Sequence, residues 1–117
     1  MAYRFEHLDI WKDSIGFSEE IYKIVKKFPR EELFALSDQL RRASVSISAN
    51  IAEGSGSDSD KDFRNFINID IKSLYETISL LTIAGRVGYI SEGILKEMYN
   101  KSEILVKRIQ SFRNSLK

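Results

Sequence analysis

The sequence predicts an all-α protein, an antiparallel up-down four-helix bundle, from three observations. Four segments repeat apolar residues at the three-four spacing that lines up side chains on one helical face. Short clusters containing proline, glycine or serine separate these segments, and no run alternates with the period of two that marks a strand. Four amphipathic helices on short links bury all four stripes at once when each packs antiparallel to the next.

The first helix is expected over about residues 8–27, with Trp11, Ile15, Tyr22, Val25 and Phe28 tracing its inner face. Pro29 ends it, because proline lacks the backbone donor and disfavours helix in the residue before it. After a loose turn, Ser37 is the expected N-cap of a second helix over about 37–54, stopped by Gly54 and followed by the loop Ser55-Gly56-Ser57. The third helix, about 58–85, starts with a capping signal in Ser57 with Asp60 or Ser59 with Asp62, and Asp58, Asp60 and Asp62 suit the positive end of its dipole. Phe63, Phe66, Ile67, Leu74, Ile78, Leu81 and Ala84 form its apolar pattern, and Gly85 to Tyr89 reads as a turn. Ser91 caps a fourth helix over about 91–115, with Ile90 and Leu95 placed as a hydrophobic staple. Its inner stripe is Ile94, Met98, Ile104 or Leu105, Ile109 and Phe112. Phe17, Ile24, Ile69, Ile71 and Leu80 fall outside these stripes, and oligomer packing is their expected explanation.

A chain of 117 residues suits one domain, 1–117. The absence of cysteine, the single proline and the 30% charged residues argue against a disulfide scaffold, a structural zinc site and a disordered chain. No apolar run approaches the roughly 20 residues of a membrane span, and residues 1–10 lack the features of a secretory signal, so a cytoplasmic protein with no membrane partner is expected. A net charge of +1 gives no global footprint of a nucleic-acid binder, yet Lys101, Lys107, Arg108, Arg113 and Lys117 face a single acid, Glu103, in the last segment.

The most informative stretch is residues 39–54, where two helical stripes run side by side. Leu40, Ala43, Ile47 and Ile51 continue the core stripe begun by Leu36, while Gln39, Arg42, Ser46, Asn50 and Glu53 form a polar stripe next to it, a candidate interface or polar network. Arg41 and Arg42 are candidate phosphate clamps because guanidinium groups bind phosphate bidentately, although a structural network explains Arg42 equally well. Lys107, Arg108 and Arg113 are the second nucleic-acid candidates. Cations near a helix C-terminus also contribute about 0.3–1 kcal/mol each through the dipole, so stability accounts for part of that cluster. Neither a metal nor a cofactor is expected: the one histidine, His7, lies outside the bundle pattern, and the paired Glu-x-x-His motifs of metal-binding bundles are missing. No catalytic residue is expected either, since Ser44, Ser46 and Ser48 have no histidine base and no phosphate-cradling loop or dinucleotide fingerprint occurs.

Nearly the whole chain resembles the four-helix-bundle proteins encoded by intervening sequences in bacterial 23S ribosomal RNA genes. The resemblance rests on Trp11, Phe28-Pro29 with Glu32, Gln39 to Ala43, Ser46-Ile47, Asn50 to Gly54, Phe63, Phe66, and Ser73-Leu74 with Glu76. It implies a closed bundle that assembles as a ring-shaped homopentamer in a family whose role is mostly undefined. A related branch, the accessory variability determinant of diversity-generating retroelements, partners a reverse transcriptase and binds nucleic acid through a strongly basic ring. This chain departs from these relatives in its near-neutral charge, in Ser48 where many carry proline, and in Asp70 and Lys72 where small residues are common. The expected function is therefore that of a non-enzymatic homo-oligomer with weak electrostatic binding of structured RNA or DNA. The alternative is a protein-interaction adaptor or scaffold for a nucleic-acid enzyme such as a reverse transcriptase.

Overall fold

A computed structural model describes residues 1–117. A 3-10 turn at Arg4–His7 leads into α1 (Asp9–Val25), and a second at Arg30–Glu32 leads into α2 (Leu36–Ser55), α3 (Asp60–Arg86) and α4 (Glu92–Ser115). Each helix packs on the next and α4 returns to α1, so the four close into a bundle whose α2/α3 pairing is the most extensive and whose α1/α4 pairing is the least. Contacts between helices, three polar and one apolar, mark the antiparallel registers. Asp13 with Arg108 and Glu20 with Lys101 span α1 and α4, while Asn68 with Arg113 and Gly85 with Leu95 span α3 and α4.

Helix ends follow local chemistry with two departures from expectation. Ser59 caps α3 by accepting from the Asp62 N–H at 3.1 Å, and Ser91 caps α4 by accepting from the Ile94 N–H at 3.1 Å. Ser37 is not the cap of α2: Ala35 holds that position, and Ser37 lies buried inside the first turn. Nor does Gly54 stop α2, which continues to Ser55. Gly54 is there for clearance, since a Cβ on it would stand 2.6 Å from Phe63 Cδ1 and 2.8 Å from Phe66 Cβ. The turn between α3 and α4 is made at Gly88, which has a φ of 86° that glycine adopts without strain.

Twenty apolar residues form one buried cluster. The inner face of α1 is turned from the expected stripe: Ile10, Phe17, Ile21 and Val25 point inward together with Ser14 and Ser18, whereas Tyr22 is exposed. Serine fits the core there because Ser14 donates to its own helix at Ile10 O (2.6 Å) and Ser18 donates across to Ser44 O (2.9 Å), leaving no hydroxyl hydrogen unpaired. Phe17, Ile71 and Leu80 are thus covered by this chain's own core and need no partner, while Ile69 stays exposed. In α4, Leu105 rather than Ile104 points inward, and Ile94 lies outside the core. At one end of the bundle Phe28 meets Tyr89 with ring centroids 5.4 Å apart, and the Tyr89 hydroxyl donates to Glu32 Oε2 at 2.8 Å, tying two connections together.

Glycine substitutions separate helix propensity from packing. Gly16→Ala, with nothing within 4 Å of the added methyl, is expected to stabilise the fold by about 0.5–1 kcal/mol in urea unfolding. Gly54→Ala is expected to destabilise it by about 1–3 kcal/mol, because ring and backbone must shift to admit the Cβ.

Candidate functional site

A short polar chain joins α2 to α3. Ser73 donates to Ile69 O of its own helix at 3.1 Å, so its oxygen is left to accept from Ser46 Oγ, 2.9 Å away on α2. Asn50 Nδ2 in turn donates to Ser46 O at 2.7 Å and Ser46 Oγ at 2.9 Å. The structure therefore joins two members of the polar stripe, Ser46 and Asn50, and adds Ser73. Gln39 and Glu53 lie exposed outside it, and Arg42 pairs with Asp38 at 3.0 Å one turn back on its own helix.

One turn from Ser73 is the most unusual group in the molecule. Phe63, Ile67, Asp70, Leu74, Thr77, Leu81 and Ala84 succeed one another at alternating spacings of four and three, and every one is buried. Asp70 is thus a core residue, 0% exposed, and neither carboxyl oxygen has a hydrogen-bond partner. The buried hydroxyls of Ser14, Ser44, Ser48, Thr77 and Ser102 do not serve it, since each donates to a carbonyl of its own helix. Burial alone pushes its pKa up to about 8, so the side chain is a neutral acid at pH 7. The spacing of α3 carried this information, because residue 70 completes the heptad that residues 67 and 74 define; reading only the apolar members of the stripe passes over it.

The five candidate cations fall into two groups in different halves of the bundle. Near the start of α2, Arg41 donates to Leu33 O at 3.2 Å and Arg42 pairs with Asp38. Toward the end of α4, Arg108 pairs with Asp13, and Arg113 donates to Asn68 Oδ1 at 3.2 Å. Lys107 alone of the five has neither a hydrogen bond nor an ion pair within the chain. His7 is exposed, with Nε2 2.9 Å from Met1 O, and no cluster of three or more His, Cys, Asp or Glu exists that would hold a metal ion. No helix is long and apolar enough to cross a membrane.

Two apolar grooves mark the surface. Leu74, Tyr75, Ile78, Tyr99 and Val106 line one of about 360 Å³ between α3 and α4, with Glu103 and Lys107 at its rim. Ile15, Tyr22 and Val45 line another between α1 and α2, rimmed by Glu19 and Lys23. In the cyclic order of the bundle these two seams lie on opposite sides.

Fold and surface together define a small four-helix bundle with a polar chain between α2 and α3 and an unpartnered carboxyl in its core. The sequence profile of the 23S rRNA-intervening sequence protein family matches residues 6–111, and the chain belongs to that family. It is also similar to the crystal structure of a protein of unknown function from the S23 ribosomal protein family of Bacteroides thetaiotaomicron VPI-5482. The two share 29% identity and a TM-score of 0.79 over 91% of this chain and 99% of that one. No curated protein matches.

The polar chain and the surface pair should respond differently to truncation. Asn50→Ala is expected to cost about 0.5–1.5 kcal/mol in urea unfolding, since it removes the donor to Ser46 at a partly buried site. Arg42→Leu, which removes a pair whose arginine side chain is 80% exposed, is expected to change stability by less than about 0.5 kcal/mol.

Proposed function

We propose that this protein is a non-enzymatic, self-assembling bundle that forms a homopentameric ring and works as a repeated binding surface or scaffold. The observation that carries this reading is the pair of unlike apolar grooves on opposite sides of the bundle. A closed ring of identical copies needs two different patches on each copy, one meeting the other on the neighbour, whereas a two-fold dimer needs only one. Exposed Tyr75 and Tyr99 on one side and Tyr22 and Val45 on the other supply apolar and aromatic contact area of the kind found at interface centres. Each rim carries one acid and one base, so opposite charges can face each other across the contact.

Weak electrostatic binding of structured RNA or DNA is the second reading, favoured by unpaired Lys107 beside Arg108 and Arg113. Ring assembly would repeat that group once per copy. The separation of Arg41 and Arg42 from it, and their engagement with Leu33 and Asp38, leaves the α4 end as the place to look. An adaptor for a nucleic-acid enzyme uses the same ring with a protein partner instead.

Light scattering should give five times the 13.5 kDa protomer mass, and the double variant Tyr75→Lys with Tyr99→Lys should lower that mass while keeping the helical circular dichroism. A wild-type monomer, or a variant of unchanged mass, refutes the groove-to-groove ring. In fluorescence anisotropy with an RNA hairpin and a matched DNA duplex, the second reading expects binding that weakens linearly on a log-salt scale and is reduced by Lys107→Glu. No binding at low salt by the assembled protein leaves the adaptor.

A further inference from the structure

The proposed assembly makes no use of Asp70, and the core gives it no partner. A carboxylate sealed in apolar surroundings is costly, so the group either keeps its proton or finds water. No neighbouring charge alters this choice. Asp13 of α1 pairs with Arg108 of α4, Arg113 of α4 reaches Asn68, the Asn50 amide of α2 is held by Ser46, and burial is the one cause that shifts the Asp70 carboxyl. Neither Asp70 oxygen is within hydrogen-bond reach of any of these side chains.

The route to water is set by where the bundle is loosest. The α1/α4 seam has the least extensive packing of the four, and an open groove of about 370 Å³ runs along it. Phe17 and Leu105 of the core form its floor, and Gly16 leaves its α1 wall low, with nothing within 4 Å of where a Cβ would stand. Ile104 is 61% exposed at its edge. The ion pairs that cross this seam, Asp13 with Arg108 and Glu20 with Lys101, are partly solvated and hold weakly.

We propose that Asp70 is a proton-controlled latch: the bundle stays closed while this carboxyl is protonated, and it opens along the α1/α4 seam when the group ionises and draws in water. The sign follows from linkage. In the closed bundle the carboxyl titrates near pH 8, and in a hydrated, open state near its ordinary value of 3.8, so the closed form binds the extra proton. Closure is favoured most at low pH. That advantage is lost as pH rises from about 4 to about 8, with the open-to-closed ratio increasing about tenfold per pH unit between those limits.

Amide hydrogen exchange of the whole protein between pH 5 and 8, corrected for intrinsic exchange rates, tests the latch. Protection at Ser14 to Ile21 and at Leu105 to Ile109 is expected to fall about tenfold per pH unit and to lie below that of the α2/α3 amides at every pH, because α2 and α3 exchange only when the whole bundle unfolds. Asp70→Asn, uncharged at every pH, is expected to abolish that slope. The same slope in Asp70→Asn, or protection of the α1 and α4 amides equal to that of α2 and α3, overturns the proposal. Should that variant fail to fold, the carboxyl ¹³C shift of Asp70 in the native protein decides: a midpoint well above the usual carboxylate range supports the latch, and one near 4 overturns it.

Discussion

Everything in this bundle depends on how slender α2 is. Its inner and flanking positions carry Ala43, Ser44, Ser46, Ser48 and Gly54, and the α2/α3 pair packs more extensively than any other pair of helices in the molecule. The limit of that approach is Gly54, where even one methyl group would collide with Phe63 and Phe66. Close packing brings Ser46 within hydrogen-bond distance of Ser73 and seals the heptad face of α3, with Asp70 inside it. A bulkier α2 would hold the helices apart and let water in.

Much of this was legible in the sequence because helix number, order and punctuation are local properties. Pro29, the Ser59 and Ser91 caps and the apolar periods place all four helices close to where they lie. The misplaced details share one cause, which is that small or polar residues do not announce their packing role. Ser14 and Ser18 enter the core because their hydroxyls are paired with backbone carbonyls, and this rotates the inner face of α1 away from Tyr22. Gly54 looks like a helix stop from its neighbours alone; only the approach of α3 shows that it is a contact. Phe17, Ile71 and Leu80 suggested a partner surface because single-stripe reading underestimates how wide a face a helix buries in a closed bundle.

The candidate site was legible in its pieces and not in its connections. Ser46 and Asn50 stand out as part of a polar stripe, but their link to Ser73 depends on the register between α2 and α3, which pattern does not encode. Cation placement was hidden for the same reason: residues adjacent in composition, such as Arg41, Arg42 and the α4 group, sit in different halves of the fold and mostly find internal partners.

Titrating the Asp70 carboxyl by ¹³C NMR in Gly54→Ala beside the native protein tests most directly whether close α2/α3 packing governs the core. If the added methyl pries the helices apart and admits water, the midpoint should drop from about 8 toward the ordinary 3.8. An unchanged midpoint in a variant that is measurably destabilised would contradict the account, because it would show that the seal around Asp70 does not depend on the α2/α3 contact.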